Sequence, residues 1–106
     1  MKRSGAPARM VERHVTFRVL PDRGAEFEGF VIDRYTPAMA TQPGFAGLRL
    51  LRESDTSGRY HMVIRFHSRE ESDLWRSSDS HKYLSPSLKA LHLGTEVVDY
   101  VVTHET

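Results

Sequence analysis

Residues 59–81 read Arg-Tyr-His-Met-Val-Ile-Arg-Phe-His-Ser-Arg-Glu-Glu-Ser-Asp-Leu-Trp-Arg-Ser-Ser-Asp-Ser-His. Within it, Tyr60 to Phe66 alternates in character as a strand does. The strand runs into Ser68-x-x-Glu71, where the serine hydroxyl can accept from the amide at the third helical position while the glutamate reaches back, so a helix is predicted to start at Ser68. That helix carries the only tryptophan, Trp75, with Leu74 marking an apolar flank. Ser77-Ser78-Asp79-Ser80 interrupts the helical pattern, and His81 follows six residues after Trp75.

Upstream, Val15, Phe17 and Val19 alternate with Thr16 and Arg18 in a first strand that ends at Pro21. Asp22 is placed to cap a helix over about residues 23–36, where Phe27, Phe30, Val31, Arg34 and Tyr35 keep a helical period, and Pro37 kinks or ends it. Pro43-Gly44 turns into a second strand, Phe45 to Arg52, and residues 54–58 form the hairpin loop to the third. Downstream, a helical piece is expected from Asp79 to Leu91, broken near Pro86, and Gly94 releases a last strand from Glu96 to Thr103. Residues 1–12 lack periodicity and read as a mobile tail, leaving 13–106 as a single domain.

The order β-α-β-β-α-β predicts an α+β, ferredoxin-like fold: one four-stranded antiparallel sheet with both helices on one face. Two strands carry apolar residues at both parities, Leu48 and Leu50 against Leu51, and Val98, Tyr100 and Val102 against Val97 and Val101. Two helices cannot cover both faces of such a sheet, so a homodimer packed through the helix-free face is expected.

With 106 residues, 39% of them hydrophobic, the chain is sized for one domain, and a net charge of +1 offers no broad field for nucleic acid or an anionic membrane. No apolar run approaches the roughly 20 residues of a spanning helix, and the basic N-terminus has no apolar core of a leader, so a cytoplasmic protein is expected. The absence of cysteine removes disulfides, thiolate metal sites and cysteine nucleophiles. Seven glycines fall singly at turns rather than in a phosphate cradle, and no His-x-x-x-His pair stands on a helix. Neither metal nor cofactor is expected.

Strand, capped helix, tryptophan, small-residue break and histidine, in this order, resemble the antibiotic biosynthesis monooxygenase (ABM) superfamily. The carriers are Pro43-Gly44-Phe45-x-Gly47-x-x-Leu50-Leu51, Ser68-x-x-Glu71 and Trp75-x-x-Ser78-x-x-His81, and the likeness covers about residues 13–103. The resemblance implies a dimeric α/β barrel and three kinds of relative: cofactor-free oxygenases that turn aromatic polyketide phenols into quinones with O₂, haem-degrading oxygenases, and members without known activity. In the oxygenases the matching tryptophan lines the pocket, a His or Tyr stands near the place of His81, and His61 resembles a pocket histidine of the quinone-forming branch. The catalytic candidates are therefore His61, His81 and Trp75. Arg65 is the candidate to hold a phenolate, Phe27, Phe30 and Phe66 supply apolar walls, and Tyr35 and Tyr83 are candidate pocket phenols.

Each has a structural counterpart. A lone helical tryptophan is more often core, a histidine after Ser-Ser-Asp-Ser can cap the helix, and the tyrosines more often pack in a core or at a rim. His14, His92 and His104 are expected at the surface, as is His67. The pocket is expected between sheet and helices, bordered by Trp75 and His81. Competing functions are a non-catalytic ligand-binding dimer and a non-oxidative cyclase or isomerase. Haem degradation ranks lower, because the histidine of such relatives some nine or ten residues past the tryptophan is here Leu84 or Ser85. The chain also has no asparagine, a residue such oxygenases often place in the site.

Overall fold

The computed structural model describes residues 9–106, so most of the expected tail lies outside the described residues. Alternating apolar residues build β1 (Val11–Val19), β2 (Phe45–Arg52), β3 (Arg59–Phe66) and β4 (His92–Val101), paired antiparallel in the order β2-β3-β1-β4. Between β1 and β2 the chain forms α1 (Gly24–Phe30), a π-helical turn (Val31–Tyr35) and α2 (Thr36–Ala40); between β3 and β4 it forms α3 (Arg69–Ser77) and α4 (Asp79–Lys89). This is the ferredoxin-like α+β arrangement expected from the sequence.

Strand parity assigns the two faces. Val15 and Phe17 of β1 lie opposite Met62 and Tyr60 of β3, and all four are buried under the helices with Phe27, Met39, Phe66 and Trp75. The opposite parity brings Glu12, His14 and Thr16 of β1 beside Arg65, Val63 and His61 of β3, with Leu51 of β2 and Val98 and Tyr100 of β4 on the flanks. Among the described residues no helix covers that second face, and Leu51, Val98 and Tyr100 are exposed on it.

Several boundaries differ from expectation. β1 starts at Val11, so Glu12 belongs to the sheet rather than to a tail. Asp22 does not cap α1; it takes a left-handed turn conformation (φ 63°) and Arg23 precedes the helix without a side-chain cap. Pro37 does not end the helix. The widened π turn lies just ahead of it, where the missing amide and the ring would otherwise crowd an α-helical ladder. Its effect on packing is visible in Phe27, Val31, Tyr35 and Met39, which are all buried at a strict four-residue spacing.

Pro86 likewise leaves α4 continuous. Lys82, Pro86 and Ser87 are exposed, so the carbonyl one turn before the proline lies on the wet side, while Leu84 and Leu88 face the core. β4 begins at His92, four residues before the expected Glu96, and Gly94 lies within the strand instead of releasing it. Leu74 is exposed; Ser72 and Trp75 form the inner flank of α3.

Candidate functional site

Two helix caps set the site. Ser68 accepts from the Glu71 amide at 3.2 Å and donates to the Glu71 carboxylate at 3.1 Å, which fixes the start of α3. The carboxylate lies over Gly44, whose φ of 76° and lack of a Cβ allow the approach. Ser78 joins the two helices: its hydroxyl donates to the Trp75 carbonyl at 2.7 Å, closing α3, and accepts from the His81 amide at 3.1 Å, opening α4. One hydroxyl thus ties the tryptophan to the histidine.

The result is an aromatic stack over a cavity. Trp75 is 2% exposed, with the Tyr35 ring edge-on at 5.5 Å and the His81 ring edge-on at 5.3 Å. Beside them lies a cavity of about 180 Å³ between sheet and helices, with Val15, Phe17, Met62 and Ile64 as its floor and His81, Ser85, Leu88 and His92 from α4 and β4. At its mouth Arg13 pairs with Asp99 at 3.1 Å, and Arg76 and Lys89 stand nearby.

Burial holds the His81 imidazole below its ordinary pKa, and the charges of Arg76, Arg13 and Lys89 push the same way. Its ring is therefore neutral near pH 7. The Ser85 hydroxyl gives its proton to the His81 carbonyl at 2.7 Å, so its oxygen, 3.4 Å from Nδ1, serves as a weak acceptor for Nδ1–H. This tautomer leaves the Nε2 lone pair free. Burial raises the Tyr35 phenol, against the pull of Trp75 and Arg13, so it stays protonated.

The other predicted residues fall elsewhere. Phe27, fully buried, packs on Phe17 and Tyr60; Phe30 lies under the Arg34 guanidinium; Phe66 packs on Phe45. These are core walls rather than lining of the cavity. Tyr83 is 75% exposed on the outer side of α4, so it reaches neither core nor pocket. His61 and Arg65, grouped by the sequence with one pocket, have the opposite strand parity to Met62 and Ile64 and lie across the sheet from Trp75. The sheet itself separates the two histidine candidates.

On the helix-free face His61 belongs to a chain of hydrogen bonds. Glu12 accepts from His14 Nε2 at 2.8 Å, which makes His14 Nδ1 the acceptor for His61 Nε2–H at 3.0 Å, and Thr16 donates to His61 Nδ1 at 3.2 Å. Arg65 closes the chain on Glu12 at 3.0 Å and also pairs with Glu105. His14 is thus half-buried, not a surface residue. Both ring nitrogens of His61 are occupied, and burial and the neighbouring His14 hold its pKa down.

Arg13, Ser85 and His92 line the cavity but were not among the site residues expected from the sequence. Arg13 shares parity with Val15 and Phe17, so the first strand's pattern already put it on the helix side. His92, expected at the surface, is half-buried.

A family profile for antibiotic biosynthesis monooxygenases matches residues 10–84, and the chain belongs to that family. The fold is similar to that of SnoaB, a cofactor-independent oxygenase from Streptomyces nogalater, at 26% identity and a TM-score of 0.81, over 93% of this chain and 97% of that one. An asparagine-to-alanine variant of SnoaB superposes equally, at 26% identity and a TM-score of 0.83, over 92% and 97%. A haem-degrading protein from Mycobacterium tuberculosis shares the fold at 23% identity and a TM-score of 0.72, over 93% and 97%. No curated protein sequence matches the chain.

Proposed function

We propose that the protein is a cofactor-independent monooxygenase that acts on an aromatic polyketide-like phenol or anthrone, working as a homodimer in the bacterial cytoplasm. The observation that carries this reading is the cavity walled by Trp75 and Tyr35, with a neutral His81 whose Nε2 lone pair is free. The family membership and the likeness to an oxygenase that needs no cofactor support it.

An electron-rich phenol or anthrone reacts with O₂ once deprotonated, so a protein need supply only a base, a dry aromatic cleft and donors for the oxyanion. His81 Nε2 takes the proton. The resulting anion passes an electron to O₂, the radical and superoxide combine to a peroxide anion that takes the proton back from His81, and loss of water from the hydroperoxide leaves the carbonyl: a CH₂ group and O₂ become C=O and H₂O. Tyr35, held protonated, is a donor at the cavity wall. With no asparagine in the chain, donors to the oxyanion must come from other side chains or from backbone N–H groups.

Support for haem degradation is weaker, because Leu84 is buried in the core and Ser85 is hydrogen-bonded to the His81 carbonyl. The dimer reading rests on Leu51, Val98 and Tyr100, exposed on the helix-free face. Oxygen uptake with anthrone- and naphthol-type substrates tests the activity. Consumption of O₂ with stoichiometric quinone is expected. Isomerised product without O₂ uptake would establish the cyclase or isomerase reading instead, and binding without turnover the ligand-binding one.

A further inference from the structure

The cavity beside Trp75 is graded from dry to wet. At its inner end Trp75, Met62 and Ile64 are 2%, 1% and 3% exposed, whereas Arg76 and Lys89, which line it as well, are exposed and Arg13 is half-buried. The three cations come from α3, α4 and β1, so the fold gathers them at one opening from separate parts of the chain. Among the described residues no Asp or Glu lines the cavity. With 15 basic and 14 acidic residues in the whole chain, that separation of sign is not the result of a general excess.

The three differ in how far their charge is already matched. Arg13 has Nε and Nη2 each 3.1 Å from an oxygen of Asp99. Arg76 meets Asp73 only at 3.9 Å, between side chains 49% and 58% exposed, a pair that water and salt largely screen. Lys89 makes no ion pair among the described residues. Arg76 and Lys89 thus hold uncompensated charge beside an apolar floor. After burial, the influences that hold the His81 imidazole down are Arg76, Arg13 and Lys89, and no carboxylate opposes them. The field over the opening is positive, and the apolar wall focuses it on whatever enters.

We propose that the substrate is an aromatic carboxylic acid: its ring lies on the apolar floor beside Trp75, and its carboxylate stays at the opening, bound by Arg76 and Lys89. A neutral phenol would fill the same floor and leave both cations unmatched. At the opening the carboxylate keeps water on its outer side, so it is bound without the full desolvation cost of a buried ion. Its charge also offsets that of the cations at His81, which returns the imidazole toward the range of a working base. The proposal rests on the oxygenase reading above for what happens to the ring, whereas recognition of the acid is read from binding alone.

The test is calorimetric titration, at neutral pH and low salt, with 2-naphthoate and its uncharged counterpart 2-naphthamide. Two exposed ion pairs correspond to a preference for the acid of about tenfold. The wild-type protein should show that preference and lose most of it in about 0.5 M sodium chloride. Arg76→Gln and Lys89→Gln together should remove it while 2-naphthamide binds unchanged, which also shows that the variant is folded. Arg49→Gln with Lys82→Gln, which removes as much charge at exposed positions that do not line the cavity, should keep it. Equal affinity for both probes in the wild type overturns the proposal, as does an undiminished preference, or an equal loss of both probes, in the Arg76→Gln, Lys89→Gln variant. If the wild type binds neither probe, this inference falls together with the reading it rests on. A preference that depends on Arg76 and Lys89, without O₂ uptake on anthrone carboxylic acids, leaves the acid site in place and removes only the oxygenase.

Discussion

At the scale of single residues, hydrogen bonding discriminates between the two histidine candidates more sharply than burial does. His61 has both nitrogens engaged, by Thr16 and His14, whereas His81 has a weak partner on Nδ1 and a free Nε2. A base needs that lone pair. His81→Ala should therefore lower turnover by roughly 10²–10⁴-fold, the usual span for general base catalysis, with little change in melting temperature. His61→Ala should do the reverse, costing about 1 kcal/mol of stability as its hydrogen bonds are lost and leaving turnover near wild type. Activity assays and thermal melts on the two variants decide it, and a large rate loss confined to His61→Ala would reverse the assignment. The sequence offered His61 as a candidate beside His81. Its parity with Arg65 was legible; which face carried the helices over Trp75 was set by the opposite residues, Met62 and Ile64.

At the scale of elements, the small-residue break between α3 and α4 is a joint with one pin. The Ser78 hydroxyl satisfies the end of one helix and the start of the next, so Ser78→Ala should cost about 1 kcal/mol, the usual worth of such a cap. Because the same bonds align His81 on Trp75, kcat should fall further than instability explains, while Ser78→Thr or Ser78→Asp recovers the cap. A Ser78→Ala enzyme with undiminished kcat would show the joint to be structural only. The sequence displayed this joint, as it displayed β2 between Pro43-Gly44 and the Ser54–Gly58 loop, because caps and turns are local chemistry. Pro37 and Pro86 misled, since a widened turn in one case and a hydrated helix side in the other relieve a proline without ending the helix. The strand end at His92 was illegible for a related reason: a bulge breaks the alternation by which a strand is read.

At the scale of the whole molecule, the helix-free face is where the proposed dimer would form. Val98, Tyr100 and Leu51 are exposed beside the half-buried Glu12–His14–His61 chain, and a second copy related by a two-fold axis would cover them. Light scattering at micromolar concentration should give the mass of two chains; a monomer would remove the dimer. Stability should also depend on pH in a stated direction. His61, His81 and His92 all titrate below their ordinary value of 6.5, chiefly through burial. The unfolded chain then binds more protons below pH 6.5 than the folded one. The stabilisation is complete above that pH and is lost as pH falls through the lower folded values, so the melting temperature should drop from pH 7.5 to pH 5. A flat or rising profile would mean that these imidazoles are not desolvated.

The π turn at Val31–Tyr35 has a consequence for comparing this chain with its relatives. An α-helix advances about 100° per residue, so a four-residue repeat drifts by about 40° each time and would carry Met39 well away from the direction of Phe27. The wide turn absorbs the drift by holding one residue more than an α turn needs. A relative whose helix is regular here would be one residue shorter, and an ungapped alignment would be correct on one side of Tyr35 and out of phase on the other. Deleting one residue from this turn should restore a regular helix and swing either Phe27 or Met39 off the sheet, so the surplus residue preserves the helix's phase.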